Sequence, residues 1–197
     1  MAATIDSIPI RRQIALDFMM WLLLFLGLSA ALVLRQQTLY SFREYVDPSA
    51  GIRLRYPTHW LLEHQDDSLF RAVDVANPRF ETTFQIQRIP IRSFPEVTGH
   101  TVLYSRSIEY ADALSNFRTL EFPTLSFGEF EELQGMVYTF VSSSSNPLIQ
   151  PEVVVVRGLD IVVIRRGLAY VISYRAEISE YDQQLPFFRR FSESLRI

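Results

Sequence analysis

Residues 18–34 read Phe-Met-Met-Trp-Leu-Leu-Leu-Phe-Leu-Gly-Leu-Ser-Ala-Ala-Leu-Val-Leu, 17 positions without a charge. As a helix, the run covers about 26 Å, close to the roughly 30 Å hydrocarbon core of a bilayer. Ile14 to Leu16 extend it by most of a turn, and Asp17 falls at the headgroup edge. The pattern predicts a tail over 1–13, a transmembrane helix over 14–35, a linker over 36–46 and a soluble domain over 47–197. A cleaved signal peptide is the rival reading, with Ser29 and Ala31 as small residues for a peptidase. The run continues through Leu32-Val33-Leu34 and exceeds a usual signal core.

The polar and apolar positions after the helix predict strands. Gly51-Ile-Arg-Leu-Arg-Tyr alternates, as a half-buried strand does, with Pro57 at its end and Trp60 placed to cap the core. Leu69 to Val75 and Thr82 to Ile91 read as further strands, Pro90 marking an edge or exit. The period changes over Val102 to Phe117, where Leu103, Ser107, Ile108, Ala111, Leu114 and Phe117 suit one helix face and Thr101 suits its cap. Extended patterning returns over Arg118–Phe127, Glu131–Ser142 and Glu152–Arg157, with Gly135 fitting a turn or bulge. Leu159–Arg165 and Leu168–Ala176 read as a hairpin around Arg165-Arg166-Gly167. Ser179 to Leu195 is helical, with an apolar stripe of Tyr181, Leu185, Phe188, Phe191 (or Ser192) and Leu195. Ser179 is its expected cap, and Pro186 distorts or delays its start. Ser142–Ser145 with Asn146-Pro147 reads as a flexible loop. The fold class is α+β, a central antiparallel sheet flanked by helices and preceded by one transmembrane helix.

Charge narrows the partners. All 19 basic residues are arginine, and no cysteine is present. Residues 36–197 carry 16 arginines against 20 acidic residues, net −4. That balance excludes nonspecific nucleic-acid binding, which needs a positive surface. Lysine-base and Schiff-base chemistry are absent, as are lipoprotein anchoring and disulfides. Arg11 and Arg12 precede the apolar run, and Arg35 and Arg43 follow it. The adjacent pair and short tail favour a cytoplasmic N-terminus and a periplasmic or lumenal domain.

Two stretches resemble a known family. Asp47-Pro48 followed by Gly51-Ile-Arg-Leu-Arg-Tyr-Pro-Thr-His-Trp is similar to the opening strand of PsbP-like domains. Ala169-Tyr170-Val171-Ile172-Ser173-Tyr174 and Phe187 to Leu195 resemble the family's late strand and closing helix. The resemblance spans roughly residues 47–197. It implies an α/β/α-like sandwich and a non-enzymatic role, since such domains commonly serve as extrinsic or accessory subunits or assembly factors of membrane complexes, notably photosystem II. The membrane helix and the lack of lysine depart from that pattern and fit an integral accessory subunit.

Candidate chemistry is sparse. His59, His64, Asp66 and Asp67 are of metal-ligating type. Their spacing in a strand and turn does not align them, so a polar surface is expected and no metal or cofactor. No Gly-x-Ser-x-Gly elbow or Gly-rich phosphate loop occurs. Glu129, Glu131 and Glu132 read as a solvated acidic turn, and no catalytic residue is assigned. Arg165, Arg166, Arg189 and Arg190 are candidates to dock an acidic partner or anionic headgroups. Gly27, Ser29, Ala30 and Ala31 are the candidate contact face for neighbouring transmembrane helices. These readings converge on a single-pass accessory subunit of a multisubunit, energy-converting membrane complex, photosynthetic or respiratory. A membrane-tethered ligand- or metal-binding sensor and an anchored hydrolase are the alternatives.

Overall fold

The computed structural model describes residues 10–39, 41–77, 79–91, 97–143 and 153–197, with side chains of the first helix described over 17–34. The Ser142–Pro147 loop expectation lies mostly outside the described residues. Two compact units divide the chain, residues 1–41 and 42–197.

The first unit contains helix α1, Ile10–Leu39, longer at both ends than the expected 14–35. Its window Asp17–Leu34 has a mean hydropathy of 2.1 and is long and apolar enough to cross a membrane. Bulky side chains from Phe18 to Leu34 point outward on every side of the helix. A helix apolar all round needs either a protein core or a lipid core.

The second unit opens with strand β1, Phe42–Asp47, which occupies residues expected to be linker. It pairs antiparallel with β2, Ile52–Pro57, in the register Tyr45↔Leu54. Burial along β2 alternates strictly over Ile52, Leu54 and Tyr56, as its sequence predicts. The backbone N–H of Trp60 then donates to the Pro57 carbonyl at 3.1 Å. That turn drops the indole onto Phe84, with ring centroids 4.2 Å apart.

The large sheet is antiparallel throughout. It runs β3 (Leu61–Leu62), β4 (Phe70–Asp74), β5 (Thr82–Pro90), β10 (Leu168–Glu177), β9 (Val153–Arg165), β8 (Phe130–Ser143) and β6 (Ser115–Glu121), with β7 (Thr124–Phe127) also pairing β8. Strand β9 is one continuous element that joins the two extended segments expected over Glu152–Arg157 and Leu159–Arg165. From Gly158 to Val163 it is buried on both faces, as a central strand covered on each side must be. Its hairpin to β10 turns at Arg166-Gly167, both with positive φ (53° and 73°), the geometry of a two-residue type I′ turn.

Helix α3, Tyr181–Ser194, and the β1–β2 hairpin cover one face of this sheet. Tyr181, Phe188, Phe191 and Leu195 of the expected stripe are buried there. Glu180 rather than Ser179 occupies the cap position, without a side-chain bond, and Pro186 sits inside the helix. Phe188 lies 5.4 Å from Phe84 and 5.0 Å from Tyr174, ring to ring. Truncating such a residue in a packed core costs about 3–5 kcal/mol.

Helix α2, Gly99–Ala113, covers the other face. It starts earlier than expected, because Thr98 and not Thr101 accepts the capping bond, from Thr101 N–H at 3.2 Å. Its buried face is Leu103, Arg106 and Tyr110. Ile108 and Ala111 of the expected stripe are exposed, and residues 115–121 are strand. Gly135 forms no turn. It lies within β8, where a Cβ would stand 2.9 Å from Leu125 Cδ1, so the residue permits close approach of β7.

Candidate functional site

Two polar constellations mark the domain. The first lies under α2. Asp160, on central strand β9, is wholly buried. Its Oδ1 accepts from the Tyr138 hydroxyl at 3.0 Å. Its Oδ2 accepts from Arg106 Nε at 2.8 Å and from the Tyr110 hydroxyl at 3.0 Å. Arg175, on neighbouring β10, donates from Nε to Tyr138 Oη at 3.0 Å and from Nη2 to Tyr110 Oη at 2.7 Å. Arg106 Nη2 also donates to Gln87 Oε1. One carboxylate is thus held between two guanidiniums and two phenols.

The electrostatics follow from burial. Burial pushes the Tyr110 phenol up to about 12, and the Asp160 carboxylate adds to the shift. Tyr138 is raised well above its ordinary value for the same two reasons. Burial opposes the charge of Arg106 most strongly, but the attraction and hydrogen bond of Asp160 together with Tyr110 and Tyr138 outweigh it, and the guanidinium stays charged. Both Asp160 oxygens are engaged, so the arrangement locks α2 to the sheet. Beside it, a cleft of about 350 Å³ is lined by Asp67, Ser68, Gln87, Arg88 and Arg106, among others.

The second constellation is a groove of about 530 Å³ between the β1–β2 hairpin and the end of α3. Arg53, Arg55, Arg190 and Arg196 line it with Glu44 and Glu193. Arg53 pairs with Glu44 at 2.8 Å. The segment after α3 returns to β2, and Arg53 and Arg196 exchange backbone bonds of 3.0 and 2.8 Å. The Arg55 N–H donates to Ser194 Oγ at 2.8 Å. The Arg190 guanidinium lies 5.9 Å from the centre of the Phe42 ring.

The arginines singled out in the sequence are dispersed. Arg166 stands at the β9–β10 turn, while Arg165 donates to the backbone oxygen of Ile197. Arg189 and Arg190 are consecutive on α3 and project about 100° apart. Only Arg190 lines the groove. His59 lies in the turn before β3, and His64 in the loop after it, both exposed. Asp67 lines the cleft near Arg106, but neither histidine does. Among the described residues no three histidine or carboxylate groups gather where they could hold a metal. The two-residue strand β3 separates the histidines. On α1, Gly27, Ala30 and Ala31 share one side, whereas Ser29 lies about 160° from Gly27 around the axis.

Sequence reasoning missed Asp160, Arg106, Arg175 and Tyr138, along with Arg53, Arg55 and Arg196. One signal was present: Asp160 is a lone acid within Val153–Ile164, otherwise almost wholly apolar. A carboxylate there requires buried donors.

No protein-family model matches the chain, and no curated protein matches it. Solved structures do. The cyanobacterial PsbP (CyanoP) of Synechocystis superposes with a TM-score of 0.55 at 14% identity, covering 80% of this chain and 92% of that one. LpqN of Mycobacterium tuberculosis, involved in cell envelope biogenesis, gives 0.49 at 14% identity, covering 79% and 89%. The Ran-binding protein Mog1p of Saccharomyces cerevisiae gives 0.48 at 10% identity, covering 80% and 95%. The likeness to the Synechocystis protein is one of fold, and the expected α+β sandwich is therefore a PsbP-like fold.

Proposed function

We propose that this protein is a single-pass accessory subunit of a multisubunit membrane complex. Helix α1 spans the bilayer, and the PsbP-like domain covers or stabilises the extramembrane surface of its host. The observation that carries this reading is the 18-residue apolar window of α1 preceding a PsbP-like domain in one chain. The domain works by binding rather than catalysis, with its Asp160 network serving as internal support. The host is an energy-converting complex, photosynthetic or respiratory, as the family resemblance implies. The N-terminus is cytoplasmic and the domain periplasmic or lumenal.

Purification of the tagged, full-length chain in mild detergent tests the proposal. Stoichiometric co-purification of integral membrane subunits is the expected result. A lone monomer, recovered from membranes under conditions that keep other complexes intact, overturns it.

A further inference from the structure

The groove between the β1–β2 hairpin and α3 concentrates charge against the sign of the domain. Four guanidiniums face two carboxylates there, although residues 36–197 are net negative. Glu44 is already engaged by Arg53. Arg55 is exposed, and its guanidinium has no partner among the described residues. The cations are not gathered by chance of sequence neighbourhood. Arg53 and Arg196 are joined by backbone bonds, and Arg55 reaches Ser194.

The groove's place along the chain indicates what would fill it. Five helical residues follow Leu34 and rise about 7.5 Å, roughly the depth of one headgroup layer. Phe42, at the groove's rim, comes three residues after Leu39, a length of chain that reaches at most about 11 Å. A tether this short limits how far Phe42 can lie from the end of α1. We infer that the groove binds anionic lipid headgroups of the bilayer that α1 spans. The inference rests on the proposed membrane anchorage. Arginine presents a planar fork that matches a phosphate diester in two bonds.

The chain has no cysteine, so an Arg43→Cys substitution places one polarity-sensitive fluorophore on β1 beside the groove. The full-length protein is reconstituted into nanodiscs of phosphatidylcholine alone or mixed with phosphatidylglycerol. A blue shift confined to the anionic discs and abolished by high salt is expected. Arg55→Gln with Arg190→Gln should lower the bound-to-free ratio about 25-fold, at about fivefold per arginine. The paired lysine variant, Arg55→Lys with Arg190→Lys, should retain the response and controls for folding. Equal emission in both lipids overturns the inference, as does a shift that survives in the glutamine variant. A response to polyglutamate or inorganic phosphate but not to phosphatidylglycerol also overturns it, in favour of an acidic protein or a free anion. A chain that enters the discs without responding overturns the groove assignment alone. A chain that does not enter them overturns the anchorage as well.

Discussion

The ring of Tyr138 packs against Gly158, its partner on the adjacent strand, so closely that a Cβ on the glycine would stand 2.3 Å from the ring's Cζ. The absent side chain makes room for the ring, and the ring's hydroxyl reaches Asp160 two residues further along β9. Gly158→Ala is therefore expected to cost at least about 2 kcal/mol, because the wholly buried ring is held by Asp160 and Arg175 and has no room to retreat. Denaturant unfolding of the two proteins checks this. An unchanged midpoint would show that the ring is not confined.

Asp160→Asn removes the carboxylate that, among the described residues, is bonded to Arg106, Tyr110 and Tyr138, while keeping its shape. Two guanidiniums would then share a largely buried site without a counter-charge. Breaking a buried pair from one side typically costs about 3–5 kcal/mol. Thermal unfolding should show the loss, and hydrogen exchange should show it concentrated in α2. A variant as stable as the parent would remove the network from the account of stability.

The phenols set an alkaline limit. Tyr110 and Tyr181 are each raised to about 12 in the folded protein, chiefly by burial. The folded state thus binds the phenolic protons more tightly than the unfolded chain does. Their contribution is complete below pH about 10 and is lost as pH rises through about 12. Tyrosinate absorbance should titrate later in the native protein than in denaturant, and stability should fall over that window. Coincident titrations would contradict the burial of these rings.

Two arginines in the middle of α1 test the anchor. On insertion scales each charge at the helix centre costs about 2.5–3.5 kcal/mol. Leu24→Arg with Leu28→Arg should move the protein out of the alkali-washed membrane fraction, while the parent stays in it. Equal retention of both would mean that something other than α1 holds the protein there.

The elements readable in the sequence were those whose burial follows a regular period. Ile52, Leu54 and Tyr56 alternate because β2 has one buried face. Tyr181, Phe188 and Phe191 mark α3 because it covers the sheet with aromatic residues alone at those positions. Helix α2 was misplaced because its buried face carries a charged Arg106, which an apolar stripe cannot include. The use of Gly158 was not legible because it depends on Tyr138, twenty residues away. The basic groove was illegible for a similar reason. Arg53 and Arg55 read as the solvated side of a strand, and their convergence with Arg196 depends on a backbone bridge across most of the domain.

That bridge also imposes an order in time. The β1–β2 hairpin, Phe42 to Pro57, can form as soon as its 16 residues are made, but its inner face packs against α3. At about 5–20 residues per second, the roughly 120 residues between Pro57 and Tyr181 take on the order of 10 s to synthesise. Through that interval Leu54, Tyr56 and Trp60 have no helix to cover them. A nascent chain whose first helix has already entered a membrane would wait there with a sticky, half-finished domain, a state in which chaperone holding or early docking to a host subunit would matter most.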